Sequence, residues 1–403
     1  MSVATILKTP AEPVARDVVS AVKALLPDLR AAQPESDRLG RPPAHIVEKL
    51  RAAGAYHLTI PKAHGGLEVD MKTWMETIVE IARGDAGVAW AVTLNTSCSW
   101  AFANFAPKHI VDEVFSADPN AVFSGVFTGR AVTVRPVEGG IFIDKGTWFF
   151  NSGAYEAQWN MLGVPMFDED GNEIEPGIAV LPMSDCKLLD DWDTIGVRGS
   201  GSTNVSVENV FVPTERIVPL TSIALGTHPR TYESPSSRIA FMPLMSNILT
   251  YPVLGASLHM IEHFMETLPK RDIKLTIYDK AAEAPATHLQ IGEATAKIET
   301  AHLLIEDGVR QMDEWSQRSD EYMPMLLRAK IRRDSCFAER LMWEGIDLLA
   351  TVSGGSFSRT GNIANRLWQD AKVGTLHALI SAPSNFEMYG RMLAGVQPPL
   401  MLI

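Results

Sequence analysis

The sequence predicts an α+β protein of three successive domains: a helical one over residues 1–118, a compact β domain over 119–228 and a helical bundle over 229–403. Three observations predict it. Apolar residues recur at helical spacing in the first region, short β-branched and aromatic runs fill the second, and long helical patterns return in the third. At 403 residues the chain is too long for one small core, so two or three units are expected.

The elements follow in order. "AHIVEKLRAAGA" carries apolar positions at helical spacing, and "MKTWMETIVEIARGDAGVAWAVTLNTSCSWAFANF" gives two more helical segments around Gly84 and Gly87. "PKHIVDEVFS" is a short helix with Pro107 suited to its first turn. The runs "NAVFSGVF", "RAVTVRPVEGG", "IFIDKGTWFF", "MLGVPMF", "IAVLPMS" and "TNVSVENVFVP" read as strands, separated by glycine, proline and acidic turns. Their pairing is not encoded in the pattern. Helical patterns over 246–270, 285–317, 322–353 and 362–382 predict an antiparallel four-helix bundle.

Composition excludes some partners. The formal charge is 36 − 48 = −12, which argues against a nucleic acid or an anionic membrane, since both reward clustered Lys and Arg. Cys98, Cys186 and Cys336 are far apart and form no CxxC, so neither a disulfide framework nor a thiolate zinc site is expected, and a reducing, cytoplasmic setting fits. "MSVATILKTPAEPVARDVV" has no basic region followed by a long apolar run, so no leader is expected. "FMPLMSNILTYPVLGASL" is interrupted by Pro243, Asn247 and Pro252 and reads as a buried helix start, not a membrane span.

Four constellations could carry chemistry. "HMIEH" sets His259 and His263 at i and i+4 with Glu262 between them, a spacing that suits zinc, but two histidines are too few ligands and packing is the preferred reading; no metal is expected. "GVRGSGST" (196–203) lacks a Gly-Lys-Ser/Thr ending and leads into a strand, so it reads as a glycine turn, not a phosphate loop. "GTWFFNSGAYEAQW" (146–159) ends a strand in a small-residue turn. Asn151, Ser152 and Gly153 there offer N–H groups and a hydroxyl beside Trp148 and Phe150, which is either a hairpin end or an edge for a flat heteroaromatic ring. In "RLWQDAKVGTLHAL", Asp370, Gly374 and His377 fall at i, i+4 and i+7 of a helix, and an interior glycine there implies close approach by a packed helix or a flat ligand.

"WDTIGVRGSGSTNVSVENVFVP" and "SGGSFSRTGNIANRLWQDAKVG" resemble the two signatures of the acyl-CoA dehydrogenase fold superfamily, the first in its β domain and the second near its C-terminus. The α–β–α order agrees. The resemblance implies N-terminal helices, a central β-barrel-like domain and a C-terminal four-helix bundle. Many of those dehydrogenases keep a catalytic glutamate eight residues after the aspartate of "QDA". That position is Ala378 here, beside His377. A histidine in this place, with "KAAEAPATHLQIGEA" and "WFFNSG", is similar to a different branch, the two-component (group D) flavin-dependent monooxygenases that hydroxylate phenols and indole-type rings.

That branch takes reduced flavin, FADH2 or FMNH2, from a separate NAD(P)H:flavin reductase. O2 as co-substrate adds at flavin C4a, and the resulting hydroperoxide oxidises a small aromatic. The resemblance implies Ser152 near flavin N5, with Trp148, Phe150, Asn151 and Gly153 seating the ring. Arg271 would reach the flavin phosphate from the bundle, of the same or of a neighbouring subunit, and Gly354 and Gly355 would admit the cofactor tail; Thr351 replaces the family's glutamine, which leaves FAD and FMN both open. His377 would deprotonate the substrate or hydrogen-bond the oxidant, titrating near neutrality. Trp100, Asn104 and Ser124 are further candidates for the substrate pocket. A homotetramer or homodimer is implied. The competing expectations are an acyl-CoA dehydrogenase-like flavin oxidoreductase with its base elsewhere, an amino-sugar N-oxygenase, and a flavin-free scaffold of the same fold.

Overall fold

The computed structural model describes residues 15–129, 131–318 and 321–396; residues 1–14 of the stretch read for a leader lie outside them. Six helices come first: α1 (Ala15–Ala24), α2 (Leu26–Leu39), α3 (Ala44–Ala52), α4 (Met71–Gly84), α5 (Ala86–Phe105) and α6 (Lys108–Ala117). The break between α4 and α5 is built by two neighbours. Gly84 closes α4 where a Cβ would lie 2.4 Å from Leu29. Asp85 is extended (φ −152°) and caps α5, its carboxylate accepting from Gly87 and Val88 N–H. Helix α5 is buried along nearly its whole length and forms the floor on which both later regions rest.

The middle of the chain holds β1 (Phe123–Val126), β2 (Ala131–Val137), β3 (Gly140–Trp148), β4 (Trp159–Phe167), β5 (Glu173–Pro182), β6 (Lys187–Leu188), β7 (Val205–Pro213) and β8 (Ile217–Pro219). They make two four-stranded sheets, in the orders β1-β4-β5-β8 and β2-β3-β7-β6. This is a two-sheet sandwich, not a closed barrel. Its core draws Ile143 and Trp148 from β3, Leu162 from β4, Leu181 from β5 and Val207 from β7. The pairing of β1 with β4 is parallel, and all others are antiparallel.

Helices then resume: α7 (Leu220–Leu225), α8 (Phe241–Asn247), α9 (Thr250–Thr267), α10 (Pro285–Ser316), α11 (Met325–Thr351), α12 (Ile363–Gly374) and α13 (Ala382–Leu393). Helices α9 to α12 form the expected bundle, with α11 and α12 antiparallel: Trp343 meets both Trp368 and Lys372, and Asp347 accepts from Trp368. The bundle and the N-terminal helices share a single core that runs from Val18 through Trp74 and Phe241 to Ala371. Residues 241–270 have the length and mean hydropathy, 1.2, of a membrane span, but most of that window lies buried inside the protein as a core helix pair would.

The 362–382 pattern is shorter in the structure than in the sequence. Asn362 caps α12, its side chain accepting from Asn365 N–H at 3.1 Å, and the helix ends at Gly374. His377 is extended (φ −64°, ψ 136°) and starts a separate short 3₁₀ turn. Asp370, Gly374 and His377 therefore do not share one helix face.

Candidate functional site: a histidine, a tryptophan and a serine chain

The turn after β3 sits against the loop 196–204. Phe150 adopts φ +65°, and its N–H donates to Asn204 Oδ1 at 3.0 Å. Asn151 N–H donates to Thr203 carbonyl, Ser152 N–H to Phe150 carbonyl and Gly153 N–H to Ser200 carbonyl, each at 3.0 Å. These three amides are thus consumed within the β domain and are not free for a ligand, contrary to expectation. Gly153 (φ +69°) is a glycine because a Cβ would lie 2.4 Å from the Asn95 side chain of α5. The Asn151 side chain is fully buried and donates to Asn160 Oδ1 at 2.8 Å. Trp148 is also fully buried, donating to Gly163 carbonyl at 2.9 Å inside the sandwich. Neither can face a flat ligand with its side chain. Phe149 and Phe150 are exposed instead, at 43% and 69%.

Ser152 has a different set of partners. Trp90 Nε1–H of α5 donates to its hydroxyl at 3.2 Å. Ser152 Oγ lies 2.7 Å from Ser202 Oγ, which lies 2.7 Å from Ser200 Oγ. The Trp90 ring is 6.1 Å from the His377 ring. So the two residues chosen as catalytic, separated by more than half the chain, are joined through Trp90. Beside them Trp90, Leu249, Cys336 and Ile380 form a small apolar cluster with Leu94 and Leu379 packed against it.

His377 differs chemically from expectation. Surrounding protein pushes its pKa down to about 4, because burial penalises the charged ring. Its Nδ1 accepts the Leu379 N–H at 3.2 Å. The ring is neutral near pH 7 and carries its proton on Nε2, where it is a hydrogen-bond donor.

The neighbours on α12 are structural. Gly374 allows α9 to approach: a Cβ there would lie 2.5 Å from Val253. Buried Asp370 accepts Val197 N–H at 2.7 Å and lies 3.1 Å from Arg366, whose guanidinium also holds Asp37 at 2.9 Å and Asp85 at 3.1 Å. Burial, and then repulsion by Asp85 against the pull of Arg366, leaves Asp370 with a pKa raised to about 6. This network clamps loop 196–204. A Cβ on Gly196 would lie 2.2 Å from Gln369 carbonyl, and one on Gly87 2.7 Å from Gly199 N.

The tail set lies elsewhere. Arg271 donates to Val352 carbonyl at 2.8 Å, which brings it beside Gly354 and Gly355. Its remaining guanidinium nitrogens have no carboxylate partner among the described residues. A Cβ on either glycine would meet nothing within 4 Å, and Gly354 takes φ +70°. Trp100 and Asn104 are taken up within the helical core. Trp100 is fully buried, donating to Ser236 carbonyl at 3.0 Å, and Asn104 donates to Trp100 carbonyl at 2.9 Å. Ser124 is buried in β1 with its hydroxyl unpartnered among the described residues. In "HMIEH", Glu262 is taken by Arg30 at 2.7 Å and by Arg83, and among the described residues no group of three or more metal-ligating side chains gathers. Two surface clefts of about 300 and 330 Å³, one bordered by Asp70 and Asp313 and one by His228 and Arg230, lie apart from these residues.

Two sets of groups are of the kind a flavin site uses: the Ser152 hydroxyl next to the exposed Phe149 and Phe150, and the Arg271 guanidinium, without a carboxylate partner among the described residues, beside two open glycines. The sequence matches two family models: "Acyl-CoA dehydrogenase, N-terminal domain" over residues 16–113 and "Acyl-CoA dehydrogenase, C-terminal domain" over 248–382. The chain belongs to the acyl-CoA dehydrogenase superfamily. Within this superfamily it resembles a flavin-dependent monooxygenase oxygenase subunit, HsaA, of Rhodococcus jostii, at 27% identity over 91% of this chain and 95% of that one. The oxygenase component of p-hydroxyphenylacetate 3-hydroxylase from Acinetobacter baumannii is 28% identical over 94% and 89% of the two chains. The crystal structure of the HsaA monooxygenase from Mycobacterium tuberculosis superposes with a TM-score of 0.89 at 25% identity, covering 97% and 100%. The superfamily member described here is an oxidoreductase of the flavin-dependent monooxygenase branch.

The sequence reading missed Trp90, Ser200 and Ser202. The two serines stand in "GVRGSGST", read as a bare turn; Trp90 carried no signal within its helix.

Proposed function

We propose that this chain is the oxygenase component of a two-component system. It takes reduced flavin, FADH2 or FMNH2, from a separate NAD(P)H:flavin reductase and uses O2 to hydroxylate a small aromatic of phenol or indole type. The observation that carries this reading is the line of contacts from His377 through Trp90 to Ser152. Ala378 stands where many dehydrogenases of this fold keep their glutamate, and a methyl group cannot remove the α-proton of a thioester.

Bound reduced flavin supplies the electrons and the activation of O2. The protein's own residues do the rest. Ser152 holds the flavin N5 edge, with Phe150 against the ring, and Arg271, Gly354 and Gly355 hold the phosphate end. His377 presents Nε2–H to the substrate oxygen or to the oxygen being transferred. As a donor to a phenolic oxygen it favours the phenolate, which is the more nucleophilic ring. The Trp90, Leu249, Ile380 cluster keeps water away from that contact. This replaces the expected proton exchange at neutral pH. The relative named for p-hydroxyphenylacetate supports the phenol arm. Free Cys98, Cys186 and Cys336 support a cytoplasmic setting. The open glycine end would be completed by a second copy in a dimer or tetramer.

The test uses purified protein, enzymatically reduced FMN or FAD, air, and a panel of phenols and indoles, with products identified by mass spectrometry. A hydroxylated product is expected. Reduction of bound oxidised flavin by an acyl-CoA, with no oxygenated product from the panel, would instead mark a dehydrogenase.

A further inference from the structure

We propose that Arg332 is the seat for a carboxylate on the substrate, so that the aromatic oxidised here carries an acidic side arm. The proposal rests on the reading of His377 as the residue that faces the substrate, and it names the substrate's second functional group.

Arg332 lies in α11 and is 3% exposed. Its bonding is unfinished. Nε–H has no partner, and Nη1 donates only to Met388 Sδ at 3.7 Å, a thioether that accepts weakly. Among the described residues no carboxylate comes within ion-pair distance of it. Burial pulls its pKa down to about 10, which leaves the guanidinium charged near neutrality. A charge held out of water without a counter-ion is costly, and proteins pair such groups. The rest of α11 does not supply the counter-ion. Glu339, two turns on, is buried with neither oxygen bonded, and burial raises its pKa well above the carboxylate range, so it is neutral. Asp334 is committed to Lys330 at 2.8 Å and to Arg333. Water completes hydrogen bonds but does not cancel a charge. The missing partner is an anion that arrives from outside the chain.

Geometry ties this position to the reacting end. The Leu379 peptide is shared: its N–H donates to His377 Nδ1 at 3.2 Å, and its carbonyl accepts from Asn385 at 3.0 Å and faces the Cys336 thiol at 3.9 Å. Cys336 belongs to the apolar cluster of Trp90, Leu249 and Ile380. Arg332 stands one turn before Cys336 on α11, about 6 Å along its axis. Met388 stands one turn beyond Asn385 on α13. The guanidinium therefore occupies the groove between α11 and α13, one step past the cluster beside His377. An aromatic ring against that cluster, with a short arm, sets a carboxylate at Arg332. A planar guanidinium matches a carboxylate with two parallel N–H···O bonds, and Nε–H is free for one of them.

The experiment compares acids with their methyl esters, which keep the ring and the arm but lose the charge. The probes are 4-hydroxyphenyl alkanoates with arms of increasing length and the corresponding esters. They are applied first in thermal melting of the full chain without flavin, then in KM measurements with reduced flavin and O2. Wild type should be stabilised by an acid and not by its ester, and KM should be at least about tenfold lower for the acid. Arg332→Met should melt higher than wild type without ligand, because the lone buried charge is gone, and should bring the acid-to-ester KM ratio to about one. Arg332→Lys keeps the charge without the fork and should retain part of the preference. Equal response of wild type to acid and ester overturns the proposal, and so does a preference that survives Arg332→Met. Stabilisation by chloride or inorganic phosphate equal to that by the acid also overturns it, since the anion is then not the substrate's. If Arg332→Met does not fold, the wild-type comparison decides alone. No oxygenated product from any phenol or indole would sink the proposed function, whereas acid-selective melting that is lost in Arg332→Met would still assign the carboxylate seat.

Discussion

The two ends of α12 are built differently. Past its C-terminus, His377, Trp90 and Ser152 are packed and hydrogen-bonded within one chain. Beside its N-terminus, Gly354 and Gly355 face open space, with half-buried Arg271 held to Val352 carbonyl next to them. Twelve residues of helix, about 18 Å, separate the ends. The contrast teaches how the labour is divided. The end proposed to handle protons is tied together by contacts within the chain, as site chemistry requires. The end proposed to hold a phosphate is left for something else to complete.

The spacing depends on the clamp at the middle of α12, so the largest effect is expected there. Arg366→Met leaves Asp37, Asp85 and Asp370 facing one another, two of them buried, and should cost about 3–5 kcal/mol in urea unfolding. Asp370→Asn keeps an acceptor for Val197 and relieves repulsion, so it should cost far less. The pH dependence has a definite sign. Asp370 titrates at about 6 when folded, above its ordinary 3.8, so its contribution to stability is full below 3.8 and is lost as pH rises through about 6. Without Arg366 the pKa of Asp370 rises further, and the variant should lose more stability at pH 8 than at pH 5.5. An equal loss at both would mean that α12 is not held by charge.

At the closed end, His377→Ala should lower hydroxylated product per reduced flavin consumed by about 10²-fold, with flavin affinity little changed. A collapse of flavin binding would instead make His377 part of the cofactor seat. The ring's lowered pKa adds a second measurement. Because it is neutral above about 4, product formation should show no ionisation from His377 between pH 6 and 8; only as pH falls toward about 4 does Nδ1 gain a proton and lose the Leu379 N–H that orients the ring.

The sequence was legible in proportion to how local each cause was. Strands and helices followed from spacing, and Ser152 and His377 were found from the segments that contain them. What joins them was not local: Trp90 and Ser152 are 62 residues apart, Ser152 and Ser202 are 50. No periodicity reports such pairs. The face drawn through Asp370, Gly374 and His377 failed because helical spacing was extended past Gly374, where the chain turns. Trp148 and Asn151 follow from the resemblance of their segment, and Trp100 and Asn104 stand as further pocket candidates; the fold buries the first two in the β domain and the last two within α5 itself.

At the open end, Arg271→Ala should weaken flavin binding about tenfold, the worth of one charge-assisted hydrogen bond to phosphate, while product per bound reduced flavin stays the same. Equal loss in both would mean the two ends are coupled and the division of labour is false.

The smallest effect is the sharpest. Gly355 has an ordinary backbone and no atom within 4 Å of a Cβ, so nothing within the chain requires a glycine there. Gly355→Ala should leave the isolated fold intact and add about 0.4–1 kcal/mol of stability, through the lower entropy of the unfolded chain. If the open space exists for a cofactor tail, the same methyl group obstructs it, and flavin affinity should fall although the melting temperature rises. A change in opposite directions assigns the glycine to the ligand. If stability rises and flavin affinity does not fall, the space is mere surface, and the phosphate end must be sought away from α12.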